Sequence, residues 1–501
     1  MQQFFKKRGF NVKIYEFFEK NTGLKDHVAI KFKGETITYS DLPKYVNSYA
    51  AYLQSLGVKK GDKVILSMPN CPEFVFAYLG SAKAGAITIP LNLMYTMEEI
   101  QYVVKESGAD TIVVHPVVVK NVDVSAFGKL NLKNIVVLND DTKQKIMEHD
   151  DFKQVEIDDD EVCTYLYTSG TTGKPKGAML THRNFEADVV AMDEISDLGP
   201  DDNFLCVLPL FHSFSWTVNV LLALYLGSTV TIKDSFMPKD TLETLLNEDI
   251  TVFCGVPSIF AFLIRMVEKG QFKALRLAIS GGAPLAPEVQ RGFEEKFNFP
   301  LVEGYGLSEA APVALLNPLG ADEIRKPGSI GLPLPCNEAK IVDEDDNEVP
   351  VGEVGELVLK GSNIMVGYHN MPEETAKTLQ NGWLHTGDLA KKDEDGYYYI
   401  VDRLKDMIIL GGFNVYPREV EEALMEHPAV REAAVIGVGD KYKGEEVKAF
   451  IVLEDGMTAD RKELQSFLHD KLAKYKIPKI FEFVNELPKS PTGKVMKKLL
   501  K

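Results

Sequence analysis

Short apolar runs rich in β-branched residues alternate, over the first 300 residues, with stretches in which apolar residues recur at every third or fourth position. The first pattern is typical of strands and the second of helices. The predicted strands are residues 63–68, 111–115, 134–138, 229–233 and 275–280, and the clearest predicted helices are 41–56 and 283–296. Strands separated by helices favour mainly parallel sheets that are covered on both faces. The chain is therefore predicted to have an α/β fold, and its 501 residues favour two or three domains.

The pattern changes after residue 340. Residues 339–342, 355–360 and 396–401 resemble strands joined by acidic turns, which indicates an antiparallel or barrel-like piece. The charged pentapeptide Asp-Arg-Leu-Lys-Asp at 402–406 then separates two apolar runs. Beyond it, the segments 418–427, 433–438, 449–453 and 462–472 are predicted to form a compact α+β unit of about 100 residues. We therefore predict a domain boundary between residues 402 and 403, giving domains 1–402 and 403–501.

Composition argues against several classes of protein. The formal net charge of −17 repels a phosphate backbone, so no nucleic-acid partner is expected. The five cysteines form no CxxC pair, which is typical of free thiols in a reducing compartment. The chain start lacks the apolar core of a signal peptide, and no apolar run reaches the ~20 residues needed to span a bilayer. The nearest such run, 218–226, is predicted to be a buried helix. We expect a cytoplasmic protein without a transmembrane segment.

A polar loop at residues 168–177, Thr-Ser-Gly-Thr-Thr-Gly-Lys-Pro-Lys-Gly, follows a strand-like run at 161–167 and precedes a predicted helix that Thr181 could cap. Its three glycines, four hydroxyl groups and two lysines suit a phosphate cradle. It is not a Walker A loop, because only two residues separate Gly170 from Gly173 and Pro175 follows Lys174. Composition alone leaves open a polar surface loop that binds nothing.

Five segments in order resemble the motifs of the adenylate-forming enzymes, a family that includes acyl-CoA synthetases, firefly-type luciferases and the adenylation domains of peptide synthetases. They are Tyr167 with the loop to Gly177, Gly304-Tyr305-Gly306-Leu307-Ser308-Glu309, Trp383-Leu384-His385-Thr386-Gly387-Asp388, Asp402-Arg403-Leu404-Lys405, and Pro488 to Lys494. The resemblance implies a large N-terminal domain of stacked α/β subdomains with a barrel-like piece. It also implies a small, mobile α+β C-terminal domain with its hinge at Lys405.

The family reaction has two halves. A carboxylate first attacks the α-phosphorus of ATP, which gives an acyl-adenylate and pyrophosphate, and the thiol of coenzyme A then displaces AMP. The resemblance implies that Lys494 supplies positive charge near the α-phosphate, that Asp388 binds the ribose hydroxyls, and that Arg403 assists. It implies Glu309 as a Mg²⁺ ligand, with a hydroxyl from Thr168. On local sequence alone, Lys494 would be a lysine of a solvated tail and Glu309 a helix-start glutamate.

The remaining implied contacts are to ATP and to coenzyme A. The implied ATP-binding set is Thr168, Ser169, Gly170, Thr171, Thr172, Gly173, Lys176, Gly281, Gly282, Ala283, Gly304, Tyr305, Gly306, Ser308, Asp388 and Arg403. Ser308 stands where the family most often has Thr and keeps the hydroxyl. Rotation at Lys405 would withdraw Lys494 and bring Gly411, Gly412 and Phe413 in to form the pantetheine channel.

Residues 211–216, Phe-His-Ser-Phe-Ser-Trp, occupy the family's acyl-pocket motif. His212 stands where amino-acid-activating relatives usually carry Asp, so an amino-acid substrate is not expected; His212 is expected at the carboxylate end, with a core histidine as the alternative. The apolar surroundings favour a medium- or long-chain fatty acid. The alternatives are an aromatic acid, loading of a separate carrier protein, and a catalytically silent nucleotide-binding or scaffold protein. A homodimer is left open.

Overall fold

The computed structural model describes residues 12–121, 127–128, 130–169, 174–268, 272, 274–320, 323–410, 413–440, 444–490 and 493–500. The chain forms two compact units. Unit 1 comprises Met1–Pro327, Gly331–Glu338 and Leu359–Leu384, and unit 2 comprises Gly328–Ile330, Ala339–Val358 and His385–Lys501. The boundary at 402 and the mobility of the C-terminal domain stay predictions.

A nine-stranded sheet forms one layer of unit 1. Its strands, in spatial order, are β15 (Leu332–Pro333), β14 (Val313–Leu316), β13 (Leu301–Gly306), β12 (Leu277–Ser280), β11 (Val252–Gly255), β9 (Asn203–Cys206), β10 (Thr229–Ile232), β1 (Val28–Phe32) and β2 (Glu35–Thr38). The six strands from β13 to β1 run parallel, and antiparallel strands extend both edges. The predicted parallel, helix-covered sheet is confirmed.

A seven-stranded sheet forms a second layer of the same unit. Its order is β18 (Gly367–Tyr368), β8 (Pro175–Thr181), β7 (Val162–Ser169), β4 (Ile87–Pro90), β3 (Lys63–Ser67), β5 (Thr111–Val114) and β6 (Asn134–Val137). Strands β7, β4, β3, β5 and β6 are parallel, whereas β8 pairs antiparallel with both β7 and β18. This sheet carries the predicted phosphate loop, between β7 and β8.

Most of the helices of unit 1 carry buried apolar residues. The helices are α1 (Leu42–Ser55), α2 (Pro72–Lys83), α3 (Met97–Ser107), α4 (Pro116–Asn121), α5 (Asp140–Met147), α6 (His182–Glu194), α7 (Leu222–Leu226), α8 (Pro238–Asn247), α9 (Pro257–Met266), α10 (Pro287–Phe297) and α11 (Pro372–Thr378). The segment predicted as a buried helix is buried; it is π-helical over Ser215–Leu221 and continues as α7.

Helix α10 begins four residues later than the sequence pattern indicates. Ala286 is extended, with ψ 133°, and Pro287 takes the first helical position. A residue before proline disfavours the helical region, and Pro284 and Pro287 impose this twice in the predicted first turn. Below α10, Phe253, Phe260 and Phe293 belong to a buried cluster that joins it to β11 and α9.

Antiparallel strands follow in the middle of the chain, as predicted. A five-stranded sheet has the order β16 (Asn337–Val342), β17 (Gly355–Gly361), β20 (Trp383–Lys392) and β19 (Leu379–Gln380), and β21 (Tyr398–Arg403) pairs with β20.

The C-terminal α+β piece contains β22 (Ile408–Leu410), β23 (Phe413–Val415), α12 (Pro417–Met425), β24 (Val430–Asp440), β25 (Gly444–Leu453), α13 (Arg461–His469) and β26 (Ile480–Phe483). Its sheet has the order β23-β22-β25-β24 with β26 parallel to β25, over a separate apolar core. Over the described part of the chain, no helix has the length and apolar character required to cross a bilayer.

Candidate active site

The phosphate loop closes a β-hairpin. Thr168 pairs with Lys176 across β7 and β8, and Ser169 pairs with Pro175. Gly170, Thr171, Thr172, Gly173 and the side chain of Ser169 lie outside the described residues. The sequence pattern did not predict β8, because Lys-Gly-Ala-Met-Leu-Thr lacks β-branched residues until its last position. The predicted cap of the following helix is confirmed, since Thr181 Oγ1 accepts the Asn184 N–H at 3.1 Å.

The base of this hairpin is held by two residues that no motif indicated. Tyr167 donates its hydroxyl proton to Glu106, and the second carboxylate oxygen of Glu106 lies 3.0 Å from Nδ1 of His369. The backbone N–H of His369 donates to the Gly177 carbonyl at 2.8 Å. Burial, and then the Glu106 hydrogen bond, raise the pKa of Tyr167, so it stays a neutral donor. Both ends of the phosphate loop are therefore tied to α3 and to the segment after β18.

Lys176 is buried and paired. Its ammonium lies 2.5 Å from Glu374 Oε2 and 5.3 Å from the ring centroid of Tyr368. Hydrogen bonds from Lys176 and Lys377 lower the pKa of Glu374, which keeps that carboxylate charged. A phosphate that contacts Lys176 would therefore compete with Glu374 for the Lys176 ammonium group.

The two predicted magnesium ligands lie side by side. Thr168 Oγ1 is 3.4 Å from Glu309 Oε1, and the Tyr368 hydroxyl donates to the same oxygen at 2.8 Å. The Glu309 carbonyl also accepts the Met365 N–H at 2.8 Å. Mg²⁺ takes hard oxygen ligands and is usually held by one or two carboxylates together with substrate phosphates and water. The donor set of Glu309 and Thr168 fits such an ion.

Backbone packing fixes the strand that leads to Glu309. A Cβ atom at Gly306 would lie 2.1 Å from the Pro312 carbonyl oxygen, so no side chain fits there. The Leu307 N–H donates to the same oxygen at 3.0 Å. Tyr305, between Gly304 and Gly306, is half-buried. Ser308 Oγ lies 3.3 Å from Ser213 Oγ, which brings this motif against the predicted acyl segment.

The acyl segment meets the Gly281-Gly282-Ala283 turn. The ring of Phe214 would lie 3.2 Å from a Cβ atom at Gly281, and Gly282 has a φ of +78°, a left-handed conformation that favours glycine. His212 is half-buried, and its Nδ1 accepts the Phe214 N–H at 3.3 Å. A neutral His212 therefore carries its proton on Nε2.

In unit 2, Asp388, the predicted ribose ligand, pairs with Arg403. Asp388 and Arg403 oppose each other in the antiparallel pair of β20 and β21, and Arg403 Nε lies 2.9 Å from Asp388 Oδ1. Asp388 is buried, and its N–H donates to Thr386 Oγ1 at 3.1 Å. Asp388 thus lies within strand β20 with its side chain held by a partner on β21.

Lys494 lies on a closed turn of unit 2 rather than on a free tail. A bridge pairs Lys489 with Val495, and the Ser490 N–H donates to the Lys494 carbonyl at 2.8 Å. The Lys494 side chain keeps an exposed surface, yet surrounding protein atoms disfavour its charged form. This desolvation lowers the pKa of Lys494 to about 8; Arg403 and Lys405 act in the same direction and Asp388 opposes them.

The other predicted residues of this unit are only partly described. Burial, and then the charge of Arg403, lower the pKa of Lys405. Gly411 and Gly412 lie outside the described residues. Phe413 is exposed, and its ring centroid is 5.0 Å from that of Tyr475.

Comparison with known proteins gives a consistent result. A profile of the AMP-binding enzyme family matches residues 17–369, and a profile of the AMP-binding enzyme C-terminal domain matches residues 419–494. The chain therefore belongs to the AMP-binding enzymes of the adenylate-forming superfamily. A long-chain-fatty-acid–CoA ligase of Bacillus subtilis (strain 168) is 37% identical, with 95% of this chain and 91% of the relative covered. A feruloyl-CoA synthase of Amycolatopsis sp is 36% identical, with 94% of each chain covered.

Solved structures agree with this assignment. ATP-bound MatB from Rhodopseudomonas palustris is 32% identical, with a TM-score of 0.92 and 98% of each chain covered. A benzoate CoA ligase from Burkholderia xenovorans LB400 is 27% identical, with a TM-score of 0.89 and coverage of 98% of this chain and 99% of that one. The protein is an AMP-forming acid–thiol ligase, which uses ATP, a carboxylic acid and coenzyme A. The fold class and the resemblance expected from the sequence are confirmed.

Proposed function

We propose that this acyl-CoA ligase activates a medium- or long-chain fatty acid. The observation that carries the proposal is the apolar character of the segment following His212. Phe214 packs against Gly281, and the helical run Ser215–Leu226 is buried almost throughout. Each methylene group that an aliphatic chain buries against such a surface contributes about 0.8 kcal/mol. The long-chain-fatty-acid–CoA ligase relative supports this choice.

Adenylation requires neutralisation of charge more than proton transfer. We assign Glu309 and Thr168 to Mg²⁺, which would reduce the negative charge of the ATP phosphates. Asp388 accepts hydrogen bonds from the ribose, with Arg403 holding its carboxylate in place. Lys494 donates to the oxygens that gain charge as the substrate carboxylate attacks the α-phosphorus. We assign His212, whose Nδ1 accepts the Phe214 N–H, to the carboxylate end of the acid.

Transfer to coenzyme A is the second half-reaction. The thiol attacks the acyl carbon, the bond to AMP breaks, and AMP leaves with the electron pair. We assign Lys405 to the hinge whose rotation switches the enzyme from the first half-reaction to the second. We assign Gly411, Gly412 and Phe413 to the channel that receives the pantetheine arm of coenzyme A. Phe413 offers an exposed ring for this role. The acidic composition and the five buried free thiols support a cytoplasmic setting.

A panel of acids tests the substrate proposal. The purified enzyme is incubated with ATP, Mg²⁺, coenzyme A and straight-chain acids of roughly six to eighteen carbons, and kcat/KM is measured from AMP release. Benzoate and ferulate serve as comparison acids. We expect kcat/KM to rise with chain length until the pocket is filled. An absence of AMP release with every fatty acid would contradict the proposal.

An aromatic acid is the second candidate. The feruloyl-CoA synthase relative and the benzoate CoA ligase structure support it, and the Phe214 ring could pack on an aromatic substrate. A kcat/KM at least tenfold higher for ferulate or benzoate than for any fatty acid would favour this candidate.

A further inference from the structure

The chain just beyond Lys494 is anchored by a half-buried ion pair. Lys497 Nζ lies 2.7 Å from Glu421 Oε1, and the two side chains retain only 18% and 15% of their exposure. Glu421 belongs to α12, and its Oε1 also accepts the Val435 N–H of β24 at 2.6 Å. One carboxylate thus connects a helix, a strand and the C-terminal segment of unit 2.

The same ammonium acts on a second buried carboxylate. Burial raises the pKa of Asp402, and the charge of Lys497 opposes that rise. The Asp402 carboxylate accepts hydrogen bonds from the backbone N–H groups of Arg403 and Arg418, each at 2.7 Å. Arg403 in turn pairs with Asp388. Lys497 therefore acts electrostatically on Asp402, whose neighbour Arg403 is assigned to the nucleotide.

Apolar contacts hold the segment on either side of Lys497. Val495 and Leu500 pack against a cluster that includes Ile436 and Phe450 of β24 and β25. The Met496 N–H donates to the Pro488 carbonyl at 2.8 Å, which closes the turn that carries Lys494. These contacts hold the segment against the sheet. The ion pair adds a directional contact that favours one position of Lys497 along α12.

We propose that the ion pair between Lys497 and Glu421 is a positioning device that holds the Lys494 turn for the adenylation half-reaction. Neither residue touches the substrates in this role; each acts through the turn. The inference rests on the role proposed above for Lys494. A charge that acts on the reacting phosphate must be placed accurately, because a displacement of about 1 Å from productive geometry costs up to 10²-fold in rate.

The test separates the two half-reactions. Adenylation is measured as acid-dependent exchange of pyrophosphate into ATP, and thioester formation is measured from supplied acyl-adenylate and coenzyme A. We expect Lys497→Met and Glu421→Gln to lower the exchange kcat by about tenfold or more while thioester formation stays within about twofold of wild type. Lys497→Arg keeps the charge and should restore most of the exchange rate.

A matched control lies in the same unit. Lys471 pairs with Glu426 at the end of α12, on a more exposed surface, so Lys471→Met removes an equivalent lysine–glutamate pair away from the turn. It should leave both half-reactions unchanged. If Lys497→Met is unstable, Glu421→Asp retracts the carboxylate by one methylene and keeps the charge. This variant should lower exchange while the protein remains folded at the assay temperature.

The pH dependence of the exchange rate separates the positioning role from a loss of folded enzyme. A smaller amount of folded enzyme lowers the rate at every pH but does not shift the profile. The charged groups that act on Lys494 are Arg403, Lys405, Asp388 and Asp406. Release of the turn would return Lys494 to water and move the alkaline limb of the profile to higher pH. Equal loss of both half-reactions, or full exchange in Lys497→Met, would overturn the inference. If Lys494→Ala retains exchange, the proposed catalytic role of Lys494 is wrong. If Lys494→Ala loses exchange but Lys497→Met and Glu421→Gln do not, only the positioning role of the ion pair is wrong.

Discussion

Arg403 Nε lies 2.9 Å from Asp388 Oδ1, and the two residues are direct partners across β20 and β21. Their pairing neutralises a carboxylate that is only 5% exposed and directs it in a fixed orientation. The strand register alone brings these residues together, although they belong to two different sequence motifs.

Asp388→Asn should raise the KM for ATP by about tenfold, because an NH₂ group replaces one acceptor oxygen for the ribose and the negative charge that pairs with Arg403 is lost. Initial rates at varied ATP and fixed acid measure the effect. The KM for the acid should change little. Asp345→Asn, in an exposed acidic turn, is the control. An equal rise in both KM values would argue against a ribose contact.

Adenylation should decline as the pH rises through about 8, the pKa to which desolvation lowers Lys494. The ordinary lysine pKa is near 10.4, so the ammonium loses its charge earlier in the folded enzyme than in water. Pyrophosphate exchange between pH 6 and 10 measures the limb. Lys494→Arg keeps its charge over this range and should show no alkaline limb, at a reduced rate. An identical limb in Lys494→Arg would assign the titration to another group.

Gly306→Ala should destabilise unit 1 by at least about 2 kcal/mol, because its Cβ atom would overlap the Pro312 carbonyl and the backbone would have to move. Thermal unfolding measures the loss. Gly199→Ala is the matched control, since a Cβ atom there meets nothing within 4 Å. Equal melting temperatures for the two variants would mean that the strand carrying Glu309 adapts freely.

Tyr368→Phe should raise the Mg²⁺ concentration that gives half-maximal adenylation by several-fold. The variant removes the hydroxyl that orients Glu309, and hydrogen bonds to charged groups contribute about 1.5–3 kcal/mol. Magnesium titrations of pyrophosphate exchange measure the shift. Tyr399→Phe removes a similar bond to Asp393 on an outer turn and should have no effect. An unchanged Mg²⁺ requirement in Tyr368→Phe would argue against Glu309 as a Mg²⁺ ligand.

Glu106→Ala should raise the KM for ATP several-fold, because Tyr167 and His369 would lose the acceptor that ties them together at the base of the phosphate hairpin. Thioester formation from supplied acyl-adenylate should be unaffected. The control is Glu98→Ala on the exposed face of the same helix. A loss confined to thioester formation would contradict a role at the ATP phosphates.

Much of the fold and part of the site followed from the sequence. Strands such as Lys63–Ser67 and the helix cap at Thr181 could be predicted because their signals, side-chain periodicity and capping chemistry, extend over only a few residues. The glycines and hydroxyls of 168–177 indicated phosphate for the same reason. The start of α10 was misplaced because two prolines outweighed the apolar periodicity.

Tertiary structure alone decided which residues support the motifs. Glu106 and His369 meet although 263 positions separate them, and Tyr368 reaches Glu309 across 59. A lone glutamate, histidine or tyrosine has no spacing that marks it. The sequence by itself determined that this protein has the motifs and the α/β layering of an adenylating enzyme. Only the packing of β18 beside β8, and of the C-terminal segment on α12, determined how those motifs are held, because pairs distant in the chain gain their energy only when the fold brings them together.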